Sequence, residues 1–173
     1  MNMVTTRANG SHAHLPGPAQ ARPRTRILAI DYGRKRMGLA LSDELRLTAQ
    51  PLGTLQRTNR QADLRRLRET CRSHAVSRII VGYPLHITGE AGEMADESAR
   101  FATRLRKELG LEVELVDERL TSWEARQIRP ATRDDEGRKR QPVDDLAAAV
   151  LLRDYLEHQS ERAATESETI NQP

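Results

Sequence analysis

The chain has 173 residues, which is enough for one domain with a sizeable core but short for two. Its formal net charge is only +3, and no apolar run approaches the length of a membrane-spanning helix. The single cysteine, Cys71, excludes an internal disulfide and a cysteine-based zinc site. These features exclude a disulfide-stapled secreted domain and predict a cytoplasmic protein without a membrane segment.

The two ends of the chain differ in composition from its middle. The first 25 residues are rich in Ala, Pro, Gly, His and Arg but lack the apolar block of a secretory signal. We expect residues 1–25 to be a disordered leader and residues 160–173 to be a disordered tail. The one folded domain is then expected over residues 26–159.

The first predicted strand, residues 27–30, is a continuous apolar run of the kind that is buried on both faces of a sheet. Gly33 permits a tight turn after it, and residues 37–41 are a second apolar run that returns as the other strand of a hairpin. Asp31 stands where the first strand ends. An ionised carboxylate beside a core strand needs a hydrogen bond, an ion pair or a metal ion, so Asp31 is the first candidate site residue.

Hydrophobic periodicity predicts further strands and helices along the chain. The first three strands are expected to form an antiparallel meander and the last two to be parallel, which gives an α/β fold with a mixed five-stranded sheet flanked by helices. Residues 121–128 are expected to form a short helix and residues 129–142 a mobile loop with a cationic tip. Strands are expected at residues 27–30, 37–41, 47–55, 78–82 and 111–115, and longer helices at residues 61–75, 93–109 and 143–158.

The sequence also predicts which faces of two helices and one strand are exposed to solvent. Residues 57–78 contain seven Arg, which suits a polyanion such as nucleic acid but is also typical of the solvated face of a helix. In the last helix, Leu146, Val150 and the alanines at 147–149 are expected to pack inward. The alternation of Glu112 and Glu114 with apolar residues predicts an edge strand with one wet face.

Three carboxylates stand at the ends of predicted elements. Asp31 and Glu118 follow strands, and Asp144 lies in the opening turn of the last helix, where the helix dipole tolerates negative charge. If that helix packs across the sheet beside the first strand, the three acids converge, and clustered acids repel one another unless a cation joins them. Oxygen ligands without His or Cys favour Mg²⁺ or Mn²⁺, and a pair of such ions is the usual device for phosphodiester hydrolysis.

Each acid also has a purely structural interpretation. In that alternative Asp31 caps a turn, Asp144 caps its own helix and Glu118 pairs with Arg119 or Arg36. For one acid taken alone this alternative is as good as the metal site. The joint placement of all three at element ends is what favours a metal site.

Four motifs within residues 26–159 resemble those of the YqgF family of RuvC-like bacterial nucleases. The resemblance implies a ribonuclease H-like fold, metal binding by Asp31, Glu118 and Asp144, and processing of the 5′ end of precursor 16S ribosomal RNA during ribosome biogenesis. The family has also been considered a Holliday-junction resolvase, which keeps DNA as an alternative substrate. The motifs are Asp31-Tyr32-Gly33 with Arg36-Met37-Gly38-Leu39-Ala40, Val81-Gly82-Tyr83-Pro84-Leu85, Asp117-Glu118-Arg119-Leu120-Thr121-Ser122, and Val143-Asp144-Asp145-Leu146-Ala147-Ala148.

One loop departs from the family pattern. His86 and Thr88 stand where the family commonly carries an asparagine and, shortly after, an acidic residue. The substrate contacts of this loop therefore stay open. Of the neighbouring Asp144 and Asp145, the motif favours Asp144 as the metal ligand, and Asp145 is then turned about 100° away around the helix.

Basic and hydroxyl side chains are expected to hold the phosphates of a nucleic acid. With one Phe, one Trp and three Tyr, the chain lacks a row of rings for base stacking, so we expect affinity without much sequence choice. Tyr32 or Trp123 is left to stack one base. The expected partner is precursor 16S rRNA in a ribosomal precursor, bound by a monomer or weak homodimer. The phosphate contacts are expected from Arg34, Lys35, Arg36, Arg119, Thr121, Arg138, Lys139 and Arg140.

Three functions are consistent with these sequence features. The first is a hydrolase, a metal-dependent endonuclease that acts on structured RNA. The second is a nucleic-acid-binding factor whose acids only arrange the fold. The third is an actin-like ATPase, whose phosphate-binding hairpin also begins Asp-x-Gly; such enzymes bind nucleotide between two related domains, and this chain has neither a second such hairpin nor the length.

Overall fold

The structure is a computed structural model that describes residues 25–86, 88–118 and 143–170, without the side chains of residues 143–145 and 166–170. All the predicted strands and longer helices are found. The predicted short helix and cationic loop, and the predicted leader apart from Thr25, lie outside the described residues. The elements are β1 (Arg26–Tyr32), β2 (Arg36–Ser42), β3 (Ala49–Gln56), α1 (Arg60–Ser73), β4 (Val76–Tyr83), α2 (Glu93–Leu109), β5 (Glu112–Asp117) and α3 (Val143–Ile170).

The described strands form one five-stranded sheet with the order β3-β2-β1-β4-β5. Antiparallel pairs join β1 to β2 and β2 to β3, whereas β1 pairs with β4, and β4 with β5, in parallel. This topology confirms the predicted three-strand meander with two parallel strands and the ribonuclease H-like architecture. The central place of β1 follows from its sequence, because residues 27–30 are apolar on both sides and at most 2% exposed.

Helices cover both faces of the sheet and form two cores. Helices α1 and α2 pack on one face through Leu67, Phe101 and Leu105, together with Leu28 and Ile30 of β1. Helix α3 packs on the other face over β1, β2 and β3. Its core there contains Ile27, Ala29, Ala40, Ile80, Ala148, Ala149, Leu151, Leu152, Tyr155 and Leu156.

Helix α3 is longer than predicted. The prediction that it ends near His158 is wrong, because it continues to Ile170, and residues 160–170 of the expected disordered tail are helical. The physical reason is that residues 159–170 contain neither Gly nor Pro and include the strong helix formers Ala163 and Ala164. In the described part of the chain, no helix has both the length and the apolar character needed to cross a membrane.

The buried face of α3 is also shifted from the prediction. Ala148 and Ala149 are buried as expected, but Leu146 and Val150 are only half-buried and Ala147 is exposed. The stripe that faces the sheet instead follows the 3.6-residue period from Ala148 to Leu152 and Tyr155. A block of apolar residues does not reveal which of its members faces the sheet, and here the contact with the sheet decides it.

Candidate active site

The ends of β1, β4 and β5 meet at one edge of the sheet, and two of the three predicted acids are placed there. The parallel register pairs Ile30 with Val81 and Tyr83 with Asp117. Asp31 therefore stands beside the end of β4 on one side, and Glu118 follows β5 on the other. In open α/β sheets the carboxyl ends of strands are where binding sites form.

Strand alternation places Asp31 on the face that α3 covers. Ile27 and Ala29 precede Asp31 at a spacing of two residues and belong to the core beneath α3. On β4 the same face carries Ile80 and then Gly82. Asp31 itself is half-buried, so its carboxylate lies at the border between this core and solvent.

Gly82 makes room for Glu118. A Cβ at position 82 would clash with Oε1 of Glu118 and would stand 3.2 Å from its Cδ atom. The Glu118 carboxylate therefore lies directly against the backbone of β4, the strand next to β1. Sequence reasoning missed this role of Gly82, although a glycine near the end of an apolar strand is a signal of close approach by another group.

Asp144 is the second residue of α3, and its side chain lies outside the described part of the structure. Four residues later Ala148 is fully buried against the sheet. The helix packs on β1, on the adjacent β2 and on the outer strand β3, and packing across the sheet beside β1 was the condition for the predicted convergence. Among the described side chains, no group of three or more His, Cys, Asp or Glu is placed to hold a metal ion. The three-acid metal site therefore stays a prediction.

Arg57 fixes the turn between β1 and β2. Its Nη1 donates a hydrogen bond of 2.9 Å to the carbonyl oxygen of Gly33, and its backbone N–H donates one of 3.0 Å to that of Lys35. The turn also needs glycine, because a Cβ at Gly33 would lie 2.6 Å from the carbonyl oxygen of Arg36. Arg57 was predicted only as part of a basic run, and its structural role depends on a contact that the sequence does not show.

The same turn forms an open cavity of about 560 Å³ with Asp31. Lys35 and Arg36 are exposed there, and their contact with phosphates stays a prediction. Arg34 instead forms ion pairs of 2.8 Å with Glu97 and Glu93 of α2, and its hydrogen bonds to these carboxylates raise the pKa of its guanidinium. The predicted contacts from Arg119, Thr121, Arg138, Lys139 and Arg140 lie outside the described residues.

The ring of Tyr32 is engaged inside the protein. The Phe101 ring centroid lies 4.7 Å from that of Tyr32, and Cζ of Arg57 lies 4.7 Å from the centre of the Tyr32 ring. The ring of Tyr32 thus packs against two side chains of the fold, and its stacking on a base stays a prediction. The other ring, Trp123, lies outside the described residues.

Backbone hydrogen bonds within the loop hold the segment around His86 and Thr88, which departs from the family pattern. The N–H of His86 donates to the carbonyl oxygen of Glu90 at 3.0 Å, and that of Gly89 donates to the carbonyl oxygen of His86 at 2.8 Å. The His86 ring lies on Gly92, where a Cβ would stand 2.7 Å from Nε2. His86 and Thr88 are exposed, so both side chains are accessible to a substrate.

Comparison with known proteins gives consistent matches over the domain. A family model for RuvX, described as Holliday junction resolvase, matches residues 25–158. A protein of Syntrophus aciditrophicus is 42% identical over 132 residues, which cover 76% of this chain and 88% of that protein. A protein of Geobacillus kaustophilus is 41% identical over 134 residues, which cover 76% of this chain and 97% of that protein. Both relatives are named "Putative pre-16S rRNA nuclease".

Among solved structures, RuvC of T. thermophilus in complex with a Holliday junction substrate is similar to this chain. The TM-score is 0.49 and the sequence identity is 14%, over 79% of this chain and 97% of that chain.

Proposed function

Because this chain belongs to the RuvX family, we propose that it is a metal-dependent endonuclease that hydrolyses phosphodiester bonds at the 5′ end of precursor 16S rRNA. The shared name of the relatives supports the RNA substrate. The observation that carries the proposal is the arrangement at the sheet edge, where Asp31 and Glu118 flank the end of β4 and Gly82 leaves space for the Glu118 carboxylate.

The donor set at this edge fits Mg²⁺ or Mn²⁺. Asp31 and Glu118 offer carboxylate oxygens, which these ions prefer, and Asp144 at the start of α3 is the third ligand of the proposed set. When bound, such an ion supplies charge stabilisation for a phosphoryl oxygen and lowers the pKa of a water molecule.

The residues of the chain itself position the substrate. Lys35 and Arg36, exposed in the cavity that Asp31 lines, are proposed to hold the phosphates next to the bond that is cleaved. Arg57 keeps their turn in a fixed relation to Asp31 through its hydrogen bonds to the turn backbone. Well-positioned cations of this kind contribute to hydrolysis because they reduce the reorganisation needed at the site.

The test is cleavage of an RNA that carries the 5′ end of 16S rRNA with its precursor extension, by the full-length protein with Mg²⁺ or Mn²⁺. We expect Asp31→Asn to lose cleavage and to keep its fold and its RNA binding. Asp43→Asn is the matched control, because Asp43 caps the β2–β3 connection by accepting hydrogen bonds from the N–H groups of Leu47 and Thr48, away from the sheet edge. Cleavage by Asp31→Asn at the wild-type rate would remove Asp31 from the mechanism.

A DNA junction is the second substrate to test, because the family model carries the description of Holliday junction resolvase. Cleavage of a four-way DNA junction without cleavage of the RNA would favour that function. Salt-sensitive binding of RNA without hydrolysis under any divalent ion would favour the non-catalytic binding factor. In cells depleted of the protein, we expect 16S precursors with extended 5′ ends to accumulate.

A further inference from the structure

A second basic cluster lies in the crevice between α1 and α2, on the face of the sheet opposite α3. Four arginines line a cavity of about 210 Å³ there: Arg57, Arg60, Arg100 and Arg104. The apolar part of the lining comes from Tyr32, Leu64 and Phe101. We call this feature the α1–α2 crevice.

The acids of the α1–α2 crevice are already paired. Asp63 accepts hydrogen bonds from Nε of Arg57 at 3.4 Å and from the N–H of Thr58 at 3.1 Å. Glu97 pairs with Arg34 at 2.8 Å. Both carboxylates therefore have partners other than Arg60, Arg100 and Arg104.

The other three arginines are exposed, and none forms an ion pair or a side-chain hydrogen bond with the part of the chain that the structure describes. Three guanidinium groups therefore border one cavity without an ion pair to any described residue. Such an arrangement attracts anions, and the planar donor fork of arginine matches the oxygens of a phosphate group.

The position of the α1–α2 crevice links it to the candidate active site. Asp31 lines the cavity at the β1–β2 turn, and the next residue, Tyr32, lines the crevice on the other face of the sheet. Arg60 is the first residue of α1, which starts where β3 ends, at the same edge as the end of β1. A nucleic-acid strand that passes over this edge would reach both cavities.

We propose that the α1–α2 crevice binds backbone phosphates of the strand that is cleaved at Asp31, with Arg60, Arg100 and Arg104 as the contacts. This inference rests on the proposed nuclease function and adds a binding site on the opposite face of the sheet. The contact is to the backbone, because the donor fork of arginine matches phosphate oxygens and the three side chains that form the site are arginines.

The inference also assigns different roles to the arginines of residues 57–78, which the sequence alone left as either a polyanion-binding surface or the solvated face of a helix. Arg57 holds the β1–β2 turn, Arg66 donates to the carbonyl oxygen of Gln56 at 3.1 Å, and Arg68 donates to that of Glu108 at 2.9 Å. These arginines act within the fold. Arg60 is the member of the run that lines the α1–α2 crevice without an ion pair or side-chain hydrogen bond to a described residue, and we assign it to the ligand.

The test compares two double variants with the same reduction in positive charge. Arg100→Gln/Arg104→Gln removes two arginines that line the crevice, whereas Arg65→Gln/Arg72→Gln removes two exposed arginines of α1 that do not line it. Binding of the fluorescein-labelled precursor RNA is measured over a range of salt concentrations, with EDTA present to prevent cleavage. We expect the crevice pair to bind roughly tenfold more weakly, with the salt slope lowered by about 1 for each phosphate that the variant no longer binds.

Three further results decide the interpretation. Arg100→Lys/Arg104→Lys, which keeps the charge, is expected to recover part of the binding, and thermal unfolding is expected to be the same for all variants because these side chains are exposed. Equal binding by the crevice pair and the control pair would overturn the crevice site and leave the nuclease proposal standing. A wild-type protein that neither binds nor cleaves the RNA would overturn the proposed function, and the crevice site with it.

Discussion

The two faces of the sheet differ in whether the central strands also present small side chains to the helices. Beneath α1 and α2 the sheet presents large residues such as Leu28, Ile30 and Met37. Beneath α3 it presents the small Ala29 and Ala40 beside Ile27 and Ile80, and the helix adds two alanines, Ala148 and Ala149, to the same core. Large side chains bury more apolar surface, whereas small ones let a helix approach the strands closely. On the second face, Ala29 and Ala40 therefore let α3 pack closely on β1 and β2.

Polar contacts add to this difference. The Tyr155 hydroxyl donates to Oε2 of Glu114 at 2.7 Å and accepts from Nη1 of Arg78 at 2.9 Å, so that α3 is fixed to β4 and β5. Alternation predicted a wet face for β5 at Glu112 and Glu114; Glu112 is exposed, and Glu114 is half-buried where it accepts the hydrogen bond from Tyr155. The face that carries the acids thus depends on specific polar contacts as well as on apolar packing.

The largest effects are expected from changes in the two cores. Leu105→Ala, at a fully buried position on the inner face of α2, is expected to lower the free energy of unfolding by about 2–5 kcal/mol and to leave cleavage per folded molecule unchanged. Ala148→Leu is expected to cost about 1–3 kcal/mol by overpacking and to reduce cleavage as well, because it pushes α3 away from β1. Urea unfolding and cleavage rates are measured on the same samples. Wild-type cleavage by Ala148→Leu would show that close packing of α3 is not needed.

Two glycine substitutions are expected to have opposite effects: one slows cleavage with little change in stability, and the other lowers stability without slowing cleavage. Gly82→Ala places a methyl group against the Glu118 carboxylate and is expected to slow cleavage by about 10- to 100-fold with little change in unfolding. Gly110→Ala is its counterpart, because Gly110 ends α2 at a φ of 67° with no atom close to an added Cβ. It is expected to cost about 1–2 kcal/mol of stability and to leave cleavage unchanged. The same cleavage rate for both variants would contradict this assignment of Gly82.

The smallest expected effect concerns the polar anchor of α3. Burial and the hydrogen bond to Glu114 raise the pKa of the Tyr155 phenol above its ordinary value. The folded state then holds this proton more tightly than the unfolded state, so the stabilisation is complete below about pH 10 and is lost as the pH rises through the folded pKa. Tyr155→Phe is expected to cost about 1 kcal/mol near neutral pH.

The check on this prediction is the difference in unfolding free energy between wild type and Tyr155→Phe, measured from pH 7 to pH 11. The other titrating groups are common to both proteins, so the difference isolates Tyr155. We expect the gap to shrink above about pH 10. A gap that stays constant to pH 11 would mean that the hydroxyl is not part of the anchor.

The sequence predicted the strands, and with them the placement of Asp31 and Glu118 at one edge, because apolar runs and alternation are local signals. The role of Gly82 could not be predicted in the same way, since it depends on a side chain from the end of β5 that folding brings across β4. The same holds for Arg57, whose partner Gly33 lies 24 residues away. The buried face of α3 was missed because a run of apolar residues fits more than one helix orientation.

The central claim is that Asp31, Glu118 and Asp144 share a divalent ion at the edge of the sheet. The most direct measurement is anomalous diffraction from crystals of the full-length protein grown with Mn²⁺. The account predicts an anomalous peak at the ends of β1 and β5, with oxygens of the three acids within about 2.0–2.2 Å, and disappearance of this peak in Asp31→Asn. Mn²⁺ bound only elsewhere, or bound at this edge equally well by Asp31→Asn, would contradict the account.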